Sequence, residues 1–252
     1  MPEGEAVTSL HEVGFELERG NFELKFVESI KQIVGHGRKL LGGGCAVHLP
    51  PSLPFHGSTD YWQSRYLNGG DSGIGSYGDF ARFKADVLNA FVHDHGIESI
   101  IEFGCGDGNQ LLLANYPDYL GIDVSSVAID TCSQRFSCDK KKRFMKLTEY
   151  CNEQADLSLS LDVIYHLVED DVYDHYMTTL FNAAKSYVAI YSSNGTPHSD
   201  AIVSHVRHRC FTDWVKNRQP QWRLFKKVPN RYPFQGDYRR GSFSDFYFFE
   251  KY

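Results

Sequence analysis

Ser99-Ile-Ile-Glu-Phe-Gly-Cys-Gly-Asp-Gly-Asn-Gln110 reads as an apolar strand that breaks into a glycine loop. Ser99-Ile100-Ile101 suits a strand covered on both faces, and Gln110-Leu111-Leu112-Leu113-Ala114 suits a helix after the loop. Gly104, Gly106 and Gly108 stand at alternate positions, so the backbone can turn tightly and a ligand can approach where a Cβ would collide. A strand, a glycine loop and a helix N-terminus together predict a nucleotide-like ligand on an α/β fold.

The spacing separates two kinds of nucleotide. A dinucleotide fingerprint is G-x-G-x-x-G, with its third glycine packing helix against strand. Here the run is G-x-G-x-G and position 109 is asparagine. Glu102 precedes the first glycine by two residues; a carboxylate there repels a pyrophosphate and attracts a cationic amino group. Glu102-Phe-Gly-Cys-Gly-Asp-Gly108 resembles motif I of the class I S-adenosylmethionine-dependent methyltransferases, E/D-x-G-x-G-x-G.

A second strand is expected in Tyr119-Leu-Gly-Ile-Asp-Val-Ser125, with Asp123 lying 15 residues past Gly108 (123 minus 108). This βαβ unit is short, with room for one compact helix. An acid at the tip of a second strand can accept hydrogen bonds from ribose hydroxyls; capping the helix that begins at Ser125 is the other role open to it. The resemblance implies that S-adenosylmethionine, leaving as S-adenosylhomocysteine, is bound by Glu102, Gly104, Cys105, Gly106, Asp123 and Val124, with Leu161 and Asp162 from the fourth strand.

The chain has 252 residues, 42% hydrophobic and 23% charged, enough for one sizeable core with an appended segment. No run of about 18 apolar residues offers a membrane span, and Met1-Pro-Glu-Gly-Glu-Ala lacks the basic start and apolar core of a secretory signal. Cys45, Cys105, Cys132, Cys138, Cys151 and Cys210 are scattered without a C-x-x-C pair. That pattern predicts reduced thiols in a cytoplasmic protein rather than a disulfide frame or a zinc site. A formal net charge of -6 argues against a nucleic-acid partner, which demands a basic surface.

Residues 1–57 differ from the rest. A plausible amphipathic helix at Phe22-Glu-Leu-Lys-Phe-Val-Glu-Ser-Ile-Lys-Gln-Ile-Val34 is followed by glycine- and proline-rich sequence. This N-terminal extension is expected to pack on the fold, cover the site or join two copies as a homodimer. The domain proper is expected over 58–252. Five glycines fall in the ten residues from Gly69 to Gly78, between Tyr66 and a helical run Asp79–Val92. They predict either a cover over the site or an ordinary surface loop.

Further strands are expected within Arg143–Leu147, Ala155–Ile164, Lys185–Ser193, Trp222–Val228 and Ser242–Glu250, with a helix over about 170–184. Strands alternating with helices give an α/β doubly wound sheet. The resemblance implies the Rossmann-like seven-stranded methyltransferase sheet, helices on both faces and the last strand antiparallel.

Methyl transfer from a sulfonium is an in-line displacement, so alignment dominates; an oxygen or nitrogen acceptor also needs a group to take its proton. A sulfur acceptor needs none. The fourth-strand tip, Leu161-Asp-Val-Ile-Tyr-His166, offers Asp162 and His166 together. It resembles the D-x-x-x-H segment of phosphoethanolamine methyltransferases, which implies His166 as base, paired with Tyr66 or Tyr77 from the cover. A structural histidine at a helix end is the alternative.

Ser204-His-Val-Arg-His-Arg-Cys-Phe-Thr-Asp-Trp214 places His205 and His208 at i, i+3, a spacing that could put both on one helix face. Two histidines without nearby carboxylate or cysteine are poor evidence for a metal. Arginine forks match carboxylate or phosphate, so Arg207 and Arg231, with His208 and Tyr61, are candidates for binding a small anionic acceptor; solvated surface arginines are the alternative. Residues 60–250 also resemble small stand-alone methyltransferases that modify glycan building blocks. The expected activity is methyl transfer to a small-molecule metabolite. The rivals are a nicotinamide-dependent oxidoreductase and a catalytically silent cofactor-binding partner subunit.

Overall fold

The computed structural model describes residues 55–195 and 204–252, so the helix expected over 22–34 and the extension up to residue 54 lie outside the described residues. Seven strands form one sheet in the order β3-β2-β1-β4-β5-β7-β6. They are β1 (Ser99–Phe103), β2 (Asp118–Asp123), β3 (Lys142–Lys146), β4 (Ala155–Leu161), β5 (Ala184–Ser192), β6 (Trp222–Val228) and β7 (Asp245–Lys251). Strands β1 to β5 are parallel, while β7 runs antiparallel between β5 and β6.

The helices are α1 (Ser58–Leu67), α2 (Gly78–Asp94), α3 (Ser126–Arg135), α4 (Asp170–Asn182) and α5 (Phe211–Arg218). Alternation along the strands sends side chains to two cores. Ile100, Leu157 and Leu159 pack with Phe83, Leu88 and Phe91 of α2 and Ile129 of α3. Ile101, Phe103, Val188 and Ile190 pack with Met177, Leu180 and Phe181 of α4 and Phe211 of α5. The Leu-Ser-Leu-Ser-Leu run of β4 divides in the same way. Its serines face α4 closely enough for Ser160 Oγ to lie 2.8 Å from the Tyr176 hydroxyl, which itself donates to the Phe103 carbonyl at 2.9 Å.

One expected element is absent. Gln110–Leu113 forms a single 3-10 turn, not the helix expected after the glycine loop. The loop itself uses residues 104–109, and Pro117 precedes β2, leaving too few residues for the costly first turns of an α-helix. Asn89 of α2 closes the turn instead. Its Nδ2 donates to the Leu113 carbonyl at 2.9 Å and its Oδ1 accepts from Asn115 N–H at 2.8 Å.

The strand order reverses between β1 and β4, and the crevice beyond their C-terminal ends is where open α/β sheets bind ligands. Helix α1 is fixed beside it by Ser58, whose N–H and hydroxyl both donate to the Glu169 carboxylate at the start of α4. No described helix is long and apolar enough to cross a membrane.

Candidate functional site

Two cavities meet at the C-terminal edge of the sheet. The first, about 440 Å³, is lined by the β1 end and glycine loop, the β2 end at Asp123 and Val124, the β4 end at Leu161 and Asp162, and Trp62 and Tyr66 of α1. Its floor requires glycine. Gly104 has φ +84°, and a Cβ there would sit 2.5 Å from Val163 Cγ2; Gly106 has φ +58° and lies against Ser72 Oγ and the Tyr66 hydroxyl.

Glu102 is buried in this wall and accepts from the Tyr119 hydroxyl at 2.6 Å. Burial pushes its pKa up to about 7, even though Tyr119 and Lys84 act in the opposite direction. Asp123 accepts from Gly106 N–H at 3.0 Å and Ser125 N–H at 2.9 Å, so it pins the glycine loop to β2. Burial raises its pKa as well. Ser125 is the residue that caps α3, through its Oγ to Ala128 N–H. A carboxylate has about four acceptor positions, so Asp123 retains capacity for further donors. Cys105 lines the same cavity, and the Val124 carbonyl accepts from Gln63 Nε2 at 3.3 Å.

The second cavity, about 510 Å³, lies between α1, the β4 tip and the C-terminal segments. Tyr61, Trp62, Tyr165, Tyr191 and Phe243 give it aromatic walls; His166, His205, His208, Ser193, Ser242 and Ser244 add polar groups. It shares Trp62, Ser72, Asp162 and His166 with the first cavity. Asp162 adopts φ +60°, a left-handed conformation uncommon for aspartate. Three donors hold its carboxylate: Lys84 Nζ at 2.8 Å, the Tyr165 hydroxyl at 3.0 Å and Ser244 Oγ at 3.1 Å.

His166 ends a short 3-10 turn, Ile164–His166, directly after β4. Its Nδ1 lies 3.0 Å from the His205 carbonyl, and Trp62 meets its ring edge-on at 4.9 Å. What exposure the ring retains includes both cavities, and this sheltered setting pushes its pKa down to about 4. The imidazole is therefore neutral near pH 7. A carbonyl can only accept, so Nδ1 carries the proton and Nε2 is the free acceptor; Nε2 has no hydrogen-bond partner among the described residues.

The two tyrosines expected beside His166 bond elsewhere. Tyr66 lines the first cavity with its hydroxyl 2.8 Å from Ser72 Oγ, and burial raises its pKa. Tyr77 lines neither cavity; its hydroxyl donates to Asp107 Oδ2 at 2.5 Å. Asp107 also accepts from Ser72 N–H at 3.2 Å, and its own N–H donates to Ser72 Oγ at 2.9 Å. The segment between α1 and α2 is thus latched onto the glycine loop through Asp107.

Tyr61 stacks on His205 with ring centroids 4.3 Å apart, and His208 Nδ1 lies 2.6 Å from Ser193 Oγ. The stretch carrying these histidines is irregular up to the start of α5 at Phe211, so their i, i+3 spacing is not a helical one. Arg207 lines neither cavity: its guanidinium meets the Val168 carbonyl at 2.9 Å and Asp170 at 3.0 Å. Arg231 is likewise outside both, 3.3 Å from Asp86 and over the Phe83 ring. Among the described residues, no group of three or more His, Cys, Asp or Glu is arranged to hold a metal ion.

Lys84 and Gln110 were not among the residues singled out from sequence, yet both line the first cavity. Lys84 had a legible signal: Phe80, Lys84 and Leu88 fall at i, i+4, i+8, which puts a lysine on the buried stripe of α2. Gln110 had none beyond its place after the loop.

No family model matches the chain. A curated relative, the eEF1A lysine and N-terminal methyltransferase of Mus musculus, is 30% identical over 90 residues, covering 34% of this chain and 12% of that protein. Among solved structures, magnesium protoporphyrin IX methyltransferase from Synechocystis PCC 6803 with bound S-adenosylhomocysteine aligns over 77% of this chain and 98% of its own. Its TM-score is 0.58 at 14% identity. The N-methyltransferase NodS from Bradyrhizobium japonicum WM9, also with S-adenosylhomocysteine, gives 77%, 98%, 0.56 and 14% for the same quantities. At these identities the likeness establishes the fold.

Proposed function

This chain has the fold of the class I S-adenosylmethionine-dependent methyltransferases, and from that premise we propose that it methylates an oxygen or nitrogen atom of a small acceptor seated in the second cavity. The first cavity fits the cofactor. Its volume of about 440 Å³ is that of a small-ligand site, its floor is a cradle that a Cβ at Gly104 would fill, and Gln110, a residue of its wall, has a buried Oε1 without a donor.

S-adenosylmethionine supplies an electrophilic methyl group carried on a sulfonium. Asp123 would hold ribose hydroxyls with its remaining acceptor positions, Glu102 an amino group, and the backbone of Gly104, Cys105 and Gly106 the intervening length. Val124 and Leu161 line the same wall. Trp62 and Tyr66 cover the cavity from α1 and exclude water.

The acceptor reading rests on one observation: His166 reaches both cavities as a neutral imidazole whose Nδ1 proton is committed to the His205 carbonyl. Its Nε2 then accepts from an O–H or N–H in the second cavity and aims that atom's lone pair at the first. A thiol or thioether gains nothing from such a group. The sequence led to an anionic acceptor through Arg207 and Arg231; with both paired outside the cavity, Arg65 is the single arginine on its wall among the described residues, and Asp71 holds it. Aromatic faces and hydroxyls fit a planar or hydroxylated body better than a multiply charged one. The five described cysteines are unbridged, which supports a cytoplasmic location.

Titration calorimetry with S-adenosylhomocysteine and with NAD tests the premise, and binding of NAD alone rejects it. Methyl uptake is then assayed on phenols, sugar nucleotides, hydroxy acids, phosphorylated amino alcohols, thioethers and lysine peptides. The peptides test a protein amine, the acceptor that similarity to the mouse relative favours. Uptake by thioethers alone, or by peptides alone, overturns the small oxygen or nitrogen acceptor. Uptake by none, with cofactor bound, supports the silent partner subunit instead.

A further inference from the structure

Lys84 is 1% exposed in α2, and it is the single lysine or arginine on the wall of the first cavity among the described residues. A buried ammonium must be paired, and it has three N–H donors to satisfy. In the structure one donates to Asp162 Oδ2 at 2.8 Å, with the Tyr191 ring face 5.3 Å away. Donor capacity is left over beyond this carboxylate, which Tyr165 and Ser244 already share.

One turn earlier on the same face of α2, the Ala81 carbonyl accepts from Gln110 Nε2 at 3.0 Å. This bond ties the Gln110 amide to the part of α2 that carries Lys84 and leaves its Oε1, fully buried, with no donor. The Glu102 carboxyl lines the same wall. One wall of a cavity built for a ligand therefore carries both a cation with spare donors and an acceptor that lacks one. The complement of that pair is a zwitterion, with a carboxylate for the first and an ammonium for the second.

We propose that Lys84 and Gln110 form a clamp for the amino-acid end of the cofactor, Lys84 taking the α-carboxylate and Gln110 Oε1 a proton of the α-ammonium. The clamp rests on the cofactor reading above. It gives α2, which carries no part of motif I, a direct role in binding. It also ties Asp162, through Lys84, to the occupancy of the first cavity.

Three ligands test it by calorimetry on the full chain: S-adenosylhomocysteine, its decarboxylated analogue and 5′-methylthioadenosine, which lacks the amino-acid end. Charge-assisted hydrogen bonds of this kind correspond to about ten- to a hundredfold in affinity. The wild type should lose about that much on decarboxylation. Lys84→Met should weaken S-adenosylhomocysteine by the same factor and leave 5′-methylthioadenosine within about threefold. If Lys84→Met unfolds, Lys84→Gln, which keeps a donor for Asp162, replaces it. Gln110→Leu should likewise spare 5′-methylthioadenosine. Equal weakening of all three ligands, or a wild type indifferent to decarboxylation, overturns the clamp while leaving the cofactor assigned. A wild type that binds none of the three overturns both.

Discussion

Glu102→Gln should make the ligand-free protein more stable and its cofactor weaker bound. Glu102 is 5% exposed, and burial moves its pKa from 4.5 to about 7. Between those values the folded protein holds a proton that the unfolded chain has released. The stability this gives is full below about pH 4.5 and is lost as pH rises through 7. Glutamine keeps the shape and still accepts from Tyr119, but never ionises. Integrating the two titrations gives the variant an advantage of about 3 kcal/mol at about pH 8, falling below about 1 kcal/mol at about pH 5. For a domain of this size the difference is roughly 5–10 °C in melting temperature. Urea unfolding of both proteins at the two pH values reads it directly, and a constant offset, if any, cancels. The same variant should bind S-adenosylhomocysteine about tenfold more weakly, because an amide replaces the carboxylate that faces an ammonium. A stability difference identical at both pH values refutes the placement of the proton on Glu102.

Other perturbations act on neighbouring parts. His166→Ala should lower methyl uptake by about a hundredfold or more with little change in S-adenosylhomocysteine affinity. The wild-type rate should lose its His166 contribution on the acid side near pH 4, where burial has moved the imidazole, rather than near 6.5; an acid limb at the ordinary histidine value, absent from the variant, contradicts the assignment. Gly104→Ala, at φ +84° and against Val163, should cost about 1–3 kcal/mol in urea unfolding and abolish calorimetric binding. Normal binding by that variant would show that the loop does not cradle the ligand. Tyr77→Phe removes the hydroxyl that holds Asp107 and should cost about 1 kcal/mol while speeding S-adenosylhomocysteine release in stopped flow. Release at the wild-type rate would separate this latch from the cavity.

The sheet was legible because its signals are local: β6 lies at the expected Trp222–Val228, and β4 and β5 start within one residue of their expected positions. The helix expected at Gln110–Ala114 failed for lack of chain, since apolar residues in a row state a preference for burial, not the length available to satisfy it. Leu112 and Leu113 are exposed in consequence. The seven-stranded sheet and the antiparallel β7 came through resemblance, as pairing between distant strands leaves no mark in a single sequence. Site residues divide along the same line. Glu102, the glycines and Asp123 sit on the elements that define the motif, whereas the partners of Tyr77, Arg207 and Arg231 depend on loops whose course no spacing encodes. Lys84 was legible only through its register with Phe80 and Leu88, against its residue type, because lysine on an amphipathic helix normally marks the solvated face.

The four residues shared by both cavities have a thermodynamic consequence. Trp62, Ser72, Asp162 and His166 cannot shift to suit one ligand without reshaping the wall met by the other. Binding of cofactor and acceptor is therefore linked, and the factor by which the first alters the affinity of the second equals the factor by which the second alters the first. The order in which the two ligands are added leaves that factor unchanged, so titrating a candidate acceptor with and without S-adenosylhomocysteine in the cell of the calorimeter reads both its sign and its size.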